Sequence, residues 1–165
     1  MKYGYGKEAF IRLKLNHIVD EKMVQKLYEA CNAGVHVELC LRGNCSLIPQ
    51  ATGFSEGMYI NSIISRYLEH SRIYIFGNGG QPRYFIGSTD WMTRNLDKRI
   101  EVMTPVYDED IQRELDFIVS AGLSDTEQGY YTLDGEVYAR RGDFPPGTEL
   151  FNSQDAIYQY YLNQK

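Results

Sequence analysis

The 165-residue sequence contains only three cysteines and three histidines. Cys31, Cys40 and Cys45 do not have the count or spacing of a disulfide framework or a zinc ladder, so they read as structural thiols. No run approaches the roughly 18 consecutive apolar residues of a membrane span. The start, Met1-Lys2-Tyr3-Gly4-Tyr5-Gly6, has no apolar segment of signal-peptide type, which makes a cytoplasmic location the default. There is neither a Gly-x-x-x-x-Gly-Lys-Ser/Thr loop nor a Gly-x-Gly-x-x-Gly run, so a nucleotide is not held in either of those ways. Positive charge is also scarce. A formal net charge of −5 argues against a general nucleic-acid binder.

What is present is ordinary in bulk, with 43% apolar and 24% charged residues at a length that suits one domain with a real core. The charge, however, is unevenly spread. From Arg66 to Arg99 there are six basic residues against three acids, and from Asp125 onward seven acids against three basic residues. A locally positive segment in an acidic chain suggests an anion pocket; a solvated charged face is the plainer alternative.

Phe10 to Leu15 reads as a strand. Asp20 can cap a helix that carries Met23, Val24, Leu27 and Cys31 on one face and ends at Gly34. Val35, Val37, Leu39 and Leu41 alternate with His36, Glu38 and Cys40, predicting a second strand with a polar side. Strand, helix and strand make a parallel βαβ unit. After a loop from Arg42 through Gly57, the spacing of Ile63, Ile64, Tyr67 and Leu68 predicts a short helix. Ile73 to Phe76 and Tyr84 to Ile86 read as a hairpin around Gly77-Asn78-Gly79-Gly80, and Ile100 to Val106 as a further strand. Asp108 caps a helix with Ile111, Leu115 and Ile118 on one face and Gly122 beyond its end. The tail is tyrosine-rich and acidic, with a hairpin turning at Asp134-Gly135 and a last helix from about Ser153.

The chemistry-bearing residues fall at element ends, where open α/β sheets bind ligands. Arg42 stands just past a strand, beside Gly43, and its planar fork suits phosphate. His70 lies two residues before Arg72 at the entry to a strand, and Gly87-Ser88 follows on the hairpin partner. Arg94, Asn95 and Arg99 come next, with Asp90 and Glu101 as supporting carboxylates. A lone histidine at such a junction is more often structural. Its company is what points to phosphate chemistry. Glu101 could orient the imidazole or pair with an arginine. His17 and His36 read as partly exposed and Trp91 as packing beside the site.

The spacing of His70, Arg72 and Gly87-Ser88 resembles the phosphohistidine signature of the phospholipase-D-like superfamily, with arginine in place of its lysine. A narrower resemblance rests on Lys14-Leu15-Asn16, Leu41-Arg42-Gly43-Asn44-Cys45, Arg66 through Tyr74, Asn78-Gly79-Gly80, Gly87 through Arg99 and the tail's Tyr138-Ala139-Arg140. Together these resemble the C-terminal catalytic domain of bacterial polyphosphate kinases. The resemblance implies an α/β fold with a phospholipase-D-like mixed sheet flanked by helices. Residues 1–124 would form a catalytic half-domain, and 125–165 a small hairpin-plus-helix extension packed on it.

That family reversibly transfers the terminal phosphate of ATP to inorganic polyphosphate through a phosphohistidine, with magnesium. By resemblance, Arg42 falls on its ATP-phosphate-binding arginine and His70, 28 residues on, on its second active-site histidine. Arg72, Ser88, Arg94, Asn95 and Arg99 would complete the phosphate site. The histidine that is phosphorylated, and the arginines associated with magnesium, lie in the family's preceding domain. This chain therefore looks like a piece of a longer, homo-oligomeric enzyme, inactive alone, with its metal ligands elsewhere and at most a peripheral association with the inner membrane. Arg72 in place of lysine, and Gly77 where an aspartate is expected, favour phosphotransfer over lipid hydrolysis. The alternatives are a non-catalytic nucleotide- or polyanion-binding module and a phospholipase-D-like phosphodiesterase half-domain.

Overall fold

The computed structural model describes residues 9–133 and 136–164. Its centre is a parallel unit of β1 (Phe10–Lys14), α1 (Glu21–Asn32) and β2 (His36–Leu41), with Leu13 opposite Leu39. The Asp20 carboxylate caps α1 by accepting a hydrogen bond from the Met23 amide at 3.1 Å. Gly34, at φ +87°, turns the chain out of the helix through a region that disfavours side chains.

β3 (Met58–Ile63), a strand the sequence did not predict, pairs in parallel with β2 and takes in Ile63, the first residue of the expected short helix, which does not form. The deciding force is burial on two sides. Met58 and Ile60 enter the core beneath α1, whereas Ile63 enters the core on the opposite face, and a central strand is what serves both layers. Ile64, Tyr67 and Leu68, the other residues of the expected helix, are exposed on an irregular strap over 64–72.

On the other side of β1, β4 (Ile73–Phe76) runs antiparallel, followed by its hairpin partner β5 (Arg83–Gly87) and the edge strand β6 (Met103–Val106). The strand expected from Ile100 begins only at Met103. A short helix, α2 (Thr93–Lys98), precedes it and was not anticipated.

α3 (Glu109–Ser124) covers the face opposite α1, its first turn capped by Asp108, which accepts from the amides of Asp110 and Ile111. Gly122 lies inside its last turn rather than beyond its end. A Cβ there would sit 2.5 Å from Cys40 Sγ, so the helix approaches β2 closely only because this residue is glycine. The polar side expected of β2 is likewise covered, with Glu38 and Cys40 both buried. Arg12 reaches Glu38 at 2.8 Å, Asp116 at 3.1 Å and Ser120 at 2.8 Å, satisfying this polar seam beneath α3.

The tail hairpin, β7 (Gly129–Leu133) and β8 (Glu136–Ala139), pairs antiparallel as expected; its Asp134-Gly135 turn lies outside the described residues. β7 also pairs with β3, so the hairpin continues one mixed sheet in the order β6-β5-β4-β1-β2-β3-β7-β8. α4 (Ser153–Leu162) rests on α3, where the rings of Phe117 and Tyr160 lie 4.4 Å apart. The architecture is the flanked mixed α/β sheet expected from the sequence. Among the described residues no helix is long and apolar enough to cross a membrane.

Candidate active site

Strand direction gathers the site. The carboxyl ends of β1, β2, β3 and β5 and the amino ends of β4 and β6 all lie along one edge of the sheet. Asn16, Arg42, His70, Arg72, Ser88, Asp90 and Glu101 follow or precede those strand ends.

A continuous series of side-chain contacts links the two residues of greatest interest. Arg42 donates its Nε–H to Asn16 Oδ1 at 2.8 Å. The Asn16 amide nitrogen lies 3.2 and 3.3 Å from the two Asp90 oxygens, and the Asn16 backbone N–H donates to Asp90 Oδ1 at 2.8 Å. Asp90 in turn receives Arg72 through Nη2 at 2.8 Å and Nε at 3.3 Å. The terminal nitrogens of Arg72 lie 3.1 and 3.2 Å from Nδ1 and Nε2 of His70, and Nη1 also donates to the His70 carbonyl at 3.0 Å. Every nitrogen of Arg72 is thus engaged by Asp90 or His70. Arg42 has no ion-pair partner among the described residues. It lines an open cleft of about 430 Å³ together with Ser62, Tyr130, Tyr131, Thr132 and Val137. His70 is exposed and is not part of that cleft's lining.

The charges follow from this wiring. Burial alone would push the Asp90 carboxyl up, but the Arg72 guanidinium and the Asn16 donors outweigh it and hold it below the usual carboxylate range. Hydrogen bonds from Ser88 and Asn95 likewise hold the half-buried Glu101 carboxyl low. Of the roles expected for Glu101, the structure shows neither as a direct contact: it receives the Ser88 hydroxyl and the Asn95 amide, the latter at 2.7 Å. Ser88 also accepts from the Val102 amide, so this triad pins β5 to the run entering β6. Arg94 and Arg99 are exposed on α2 and at its end; Arg94 approaches Met92 Sδ, and neither bonds to the Arg42–His70 series. Trp91 is buried beside the site, its ring stacked 6.4 Å from that of Tyr74.

Several residues at this edge carry more than the sequence suggested. The strap bearing His70 is fastened from two sides. Lys14 pairs with Glu69 at 2.5 Å, and Gln154 of α4 brackets the Tyr67 backbone at 2.8 and 2.9 Å while donating to Glu69 at 2.9 Å. His17 accepts the Asn44 amide at 2.9 Å and so steadies the loop that follows Arg42. The signal for Lys14 and Asn16 was available: they end β1 just as Arg42 ends β2, at the edge where ligands collect. Gln154, 85 residues from Glu69, had none.

Among the described residues no three of His, Cys, Asp and Glu come together to hold a metal ion. The carboxylates at the edge are committed, Asp90 to Arg72 and Asn16, Glu101 to Ser88 and Asn95. Among the described residues this edge therefore offers magnesium no protein cage of its own.

An eight-stranded mixed sheet flanked by helices, with an arginine–histidine series along one edge, defines an α/β domain. More narrowly, the chain belongs to the family described as polyphosphate kinase C-terminal domain 2, whose model matches residues 2–154. It is similar to polyphosphate kinase of Vibrio vulnificus strain YJ016, 44% identical over 161 residues that cover 96% of this chain and 22% of that protein. Polyphosphate kinase of Escherichia coli K12 is also 44% identical, over 158 residues covering 94% and 22%. The crystal structure of polyphosphate kinase from Porphyromonas gingivalis matches with a TM-score of 0.86 at 34% identity, over 96% of this chain and 24% of that one. The chain spans about a fifth of the length of these curated relatives.

Proposed function

We propose that this chain is the phosphate-clamping half of a polyphosphate kinase active site, which moves the terminal phosphate of ATP to and from inorganic polyphosphate in the cytoplasm. The observation that carries the reading is the unbroken series Arg42–Asn16–Asp90–Arg72–His70 along one edge of the sheet. In this reading Arg42 offers its terminal N–H groups to phosphate oxygens, stabilising charge in the bound state and more strongly in the transition state. His70, held against Arg72, manages the proton or the charge on the leaving oxygen. Arg94 and Arg99 supply positive field rather than fixed contacts, and Ser88, Asn95 and Glu101 set the wall of the site. The phosphorylated histidine belongs to another part of the enzyme, so the chain alone makes no polyphosphate.

The test is steady-state kinetics with acid-labile phosphate labelling in the full-length, oligomeric enzyme. His70→Ala should lower turnover by at least roughly 100-fold while still permitting slow labelling of the phosphorylated histidine. Arg42→Ala should raise the ATP concentration for half-maximal rate as well as slow turnover. Parental turnover in His70→Ala would leave His70 an exposed side chain with no part in the reaction. It would favour a nucleotide-binding module, which needs Arg42 but no imidazole.

A further inference from the structure

We propose that Asn16 is a positioning residue of the phosphate site, holding the Nε edge of Arg42 and coupling that arm to the Arg72–His70 arm. The inference rests on the phosphate-site reading above. Asn16 is only 1% exposed and sits two residues past the end of β1, between the two arms. Its amide cannot be turned round. Its –NH2 group and its backbone N–H face the Asp90 carboxylate, which can only accept, while its Oδ1 faces a guanidinium, which can only donate. A flipped amide would set oxygen against carboxylate and nitrogen against guanidinium, two repulsive contacts in place of two good ones.

Asparagine is the side chain that meets both neighbours at this reach. Aspartate would place a second carboxylate against Asp90, and alanine or serine would fall short of Arg42. The bond engages Arg42 at Nε, and no other hydrogen bond from its side chain is formed to the described residues. Its two terminal nitrogens therefore stay available to a ligand. An arginine restrained in this way loses its side-chain freedom before phosphate arrives rather than upon binding, which strengthens the clamp. The same asparagine fixes Asp90, and through it Arg72 and His70, so both arms keep one registry.

The experiment uses the full-length enzyme and compares Arg42→Ala, Arg42→Lys, Asn16→Ala and the double variant Asn16→Ala/Arg42→Lys, with ATP KM and kcat measured separately. Asn16→Ala should lower kcat/KM by about tenfold or more, the effect of one hydrogen bond to a charged group, with a raised KM as part of the loss. Arg42→Lys keeps the charge but has no Nε–H for Asn16, and should lose a comparable factor. In the Arg42→Lys background the further change Asn16→Ala should cost much less than it does in the parent. Equal cost in both backgrounds would mean that Asn16 acts elsewhere, and the proposal falls. Should Asn16→Ala not fold, Asn16→Ser, which stays polar but falls short of Arg42, takes its place in both backgrounds: equal cost in each overturns the proposal, and a cost largely confined to the Arg42 background sustains it. An unchanged Arg42→Ala would instead remove the phosphate-site reading itself, and this proposal with it.

Discussion

Replacing Asp90 by asparagine tests the centre of the site without touching a residue that faces phosphate. The substitution keeps the shape and removes one charge. Asp90 is buried and its partner Arg72 largely so, with side chains 7% and 11% exposed, so the guanidinium left behind cannot recover full hydration. Breaking such a pair from one side costs about 3–5 kcal/mol. The lower end applies here, because Arg72 keeps its bond to the His70 carbonyl. A loss of about 3 kcal/mol corresponds to a fall in Tm of about 6–12 °C for a chain of this size. In urea the midpoint should drop by roughly 1.5 M at a slope near 2 kcal/mol/M.

The pH dependence supplies an independent reading. The folded-state pKa of Asp90 lies below its ordinary value of 3.8, so the carboxylate's contribution is present in full above that value. It is lost as pH falls below 3.8 toward the folded-state value, where the parent too carries a neutral side chain. The gap in stability between parent and Asp90→Asn should therefore be constant from about pH 5 to 8 and close in acid. Urea unfolding of both chains across that range measures it. A gap below about 1 kcal/mol at pH 7, the level of an exposed ion pair, would refute the assignment of Asp90 as the charge that holds Arg72. A gap that persisted unchanged into acid would refute its electrostatic origin.

Gly122→Ala should destabilise the chain by about 1–3 kcal/mol, because the new methyl meets Cys40 Sγ at 2.5 Å. In a Cys40→Ala background the same change should cost under about 1 kcal/mol, as read by thermal unfolding; equal costs would place the strain elsewhere. Gln154→Ala removes both bonds to the Tyr67 backbone and the bond to Glu69. Amide exchange at Tyr67 should quicken by about tenfold or more, and unchanged exchange would show that α4 does not brace the His70 strap.

Local signals in the sequence were good at elements that make their own case. α1 carries an apolar stripe between a capping Asp20 and a terminating Gly34, and it forms as expected. β3 could not be found that way. Asn61 sits within it and looks like a loop residue, yet its side-chain amide donates to the Gly122 and Asp125 carbonyls at the end of α3, 2.7 and 3.2 Å away. A polar residue in a central strand becomes intelligible only once the helix that needs it is overhead. The same limit applies at the site. His70, Arg72 and Arg42 could be picked out as residue types suited to phosphate, and Asp90 as a supporting carboxylate. An arginine two residues after a histidine, however, reads the same whether it faces a phosphate or a carboxylate. Sheet order decides between these, because β4 lies antiparallel to β1, and the run following β5 brings Asp90 against both Asn16 and Arg72. Arg72 is thereby spent on Asp90 and His70, and Arg42, whose one bonded partner among the described residues is a neutral amide, keeps its terminal nitrogens to offer.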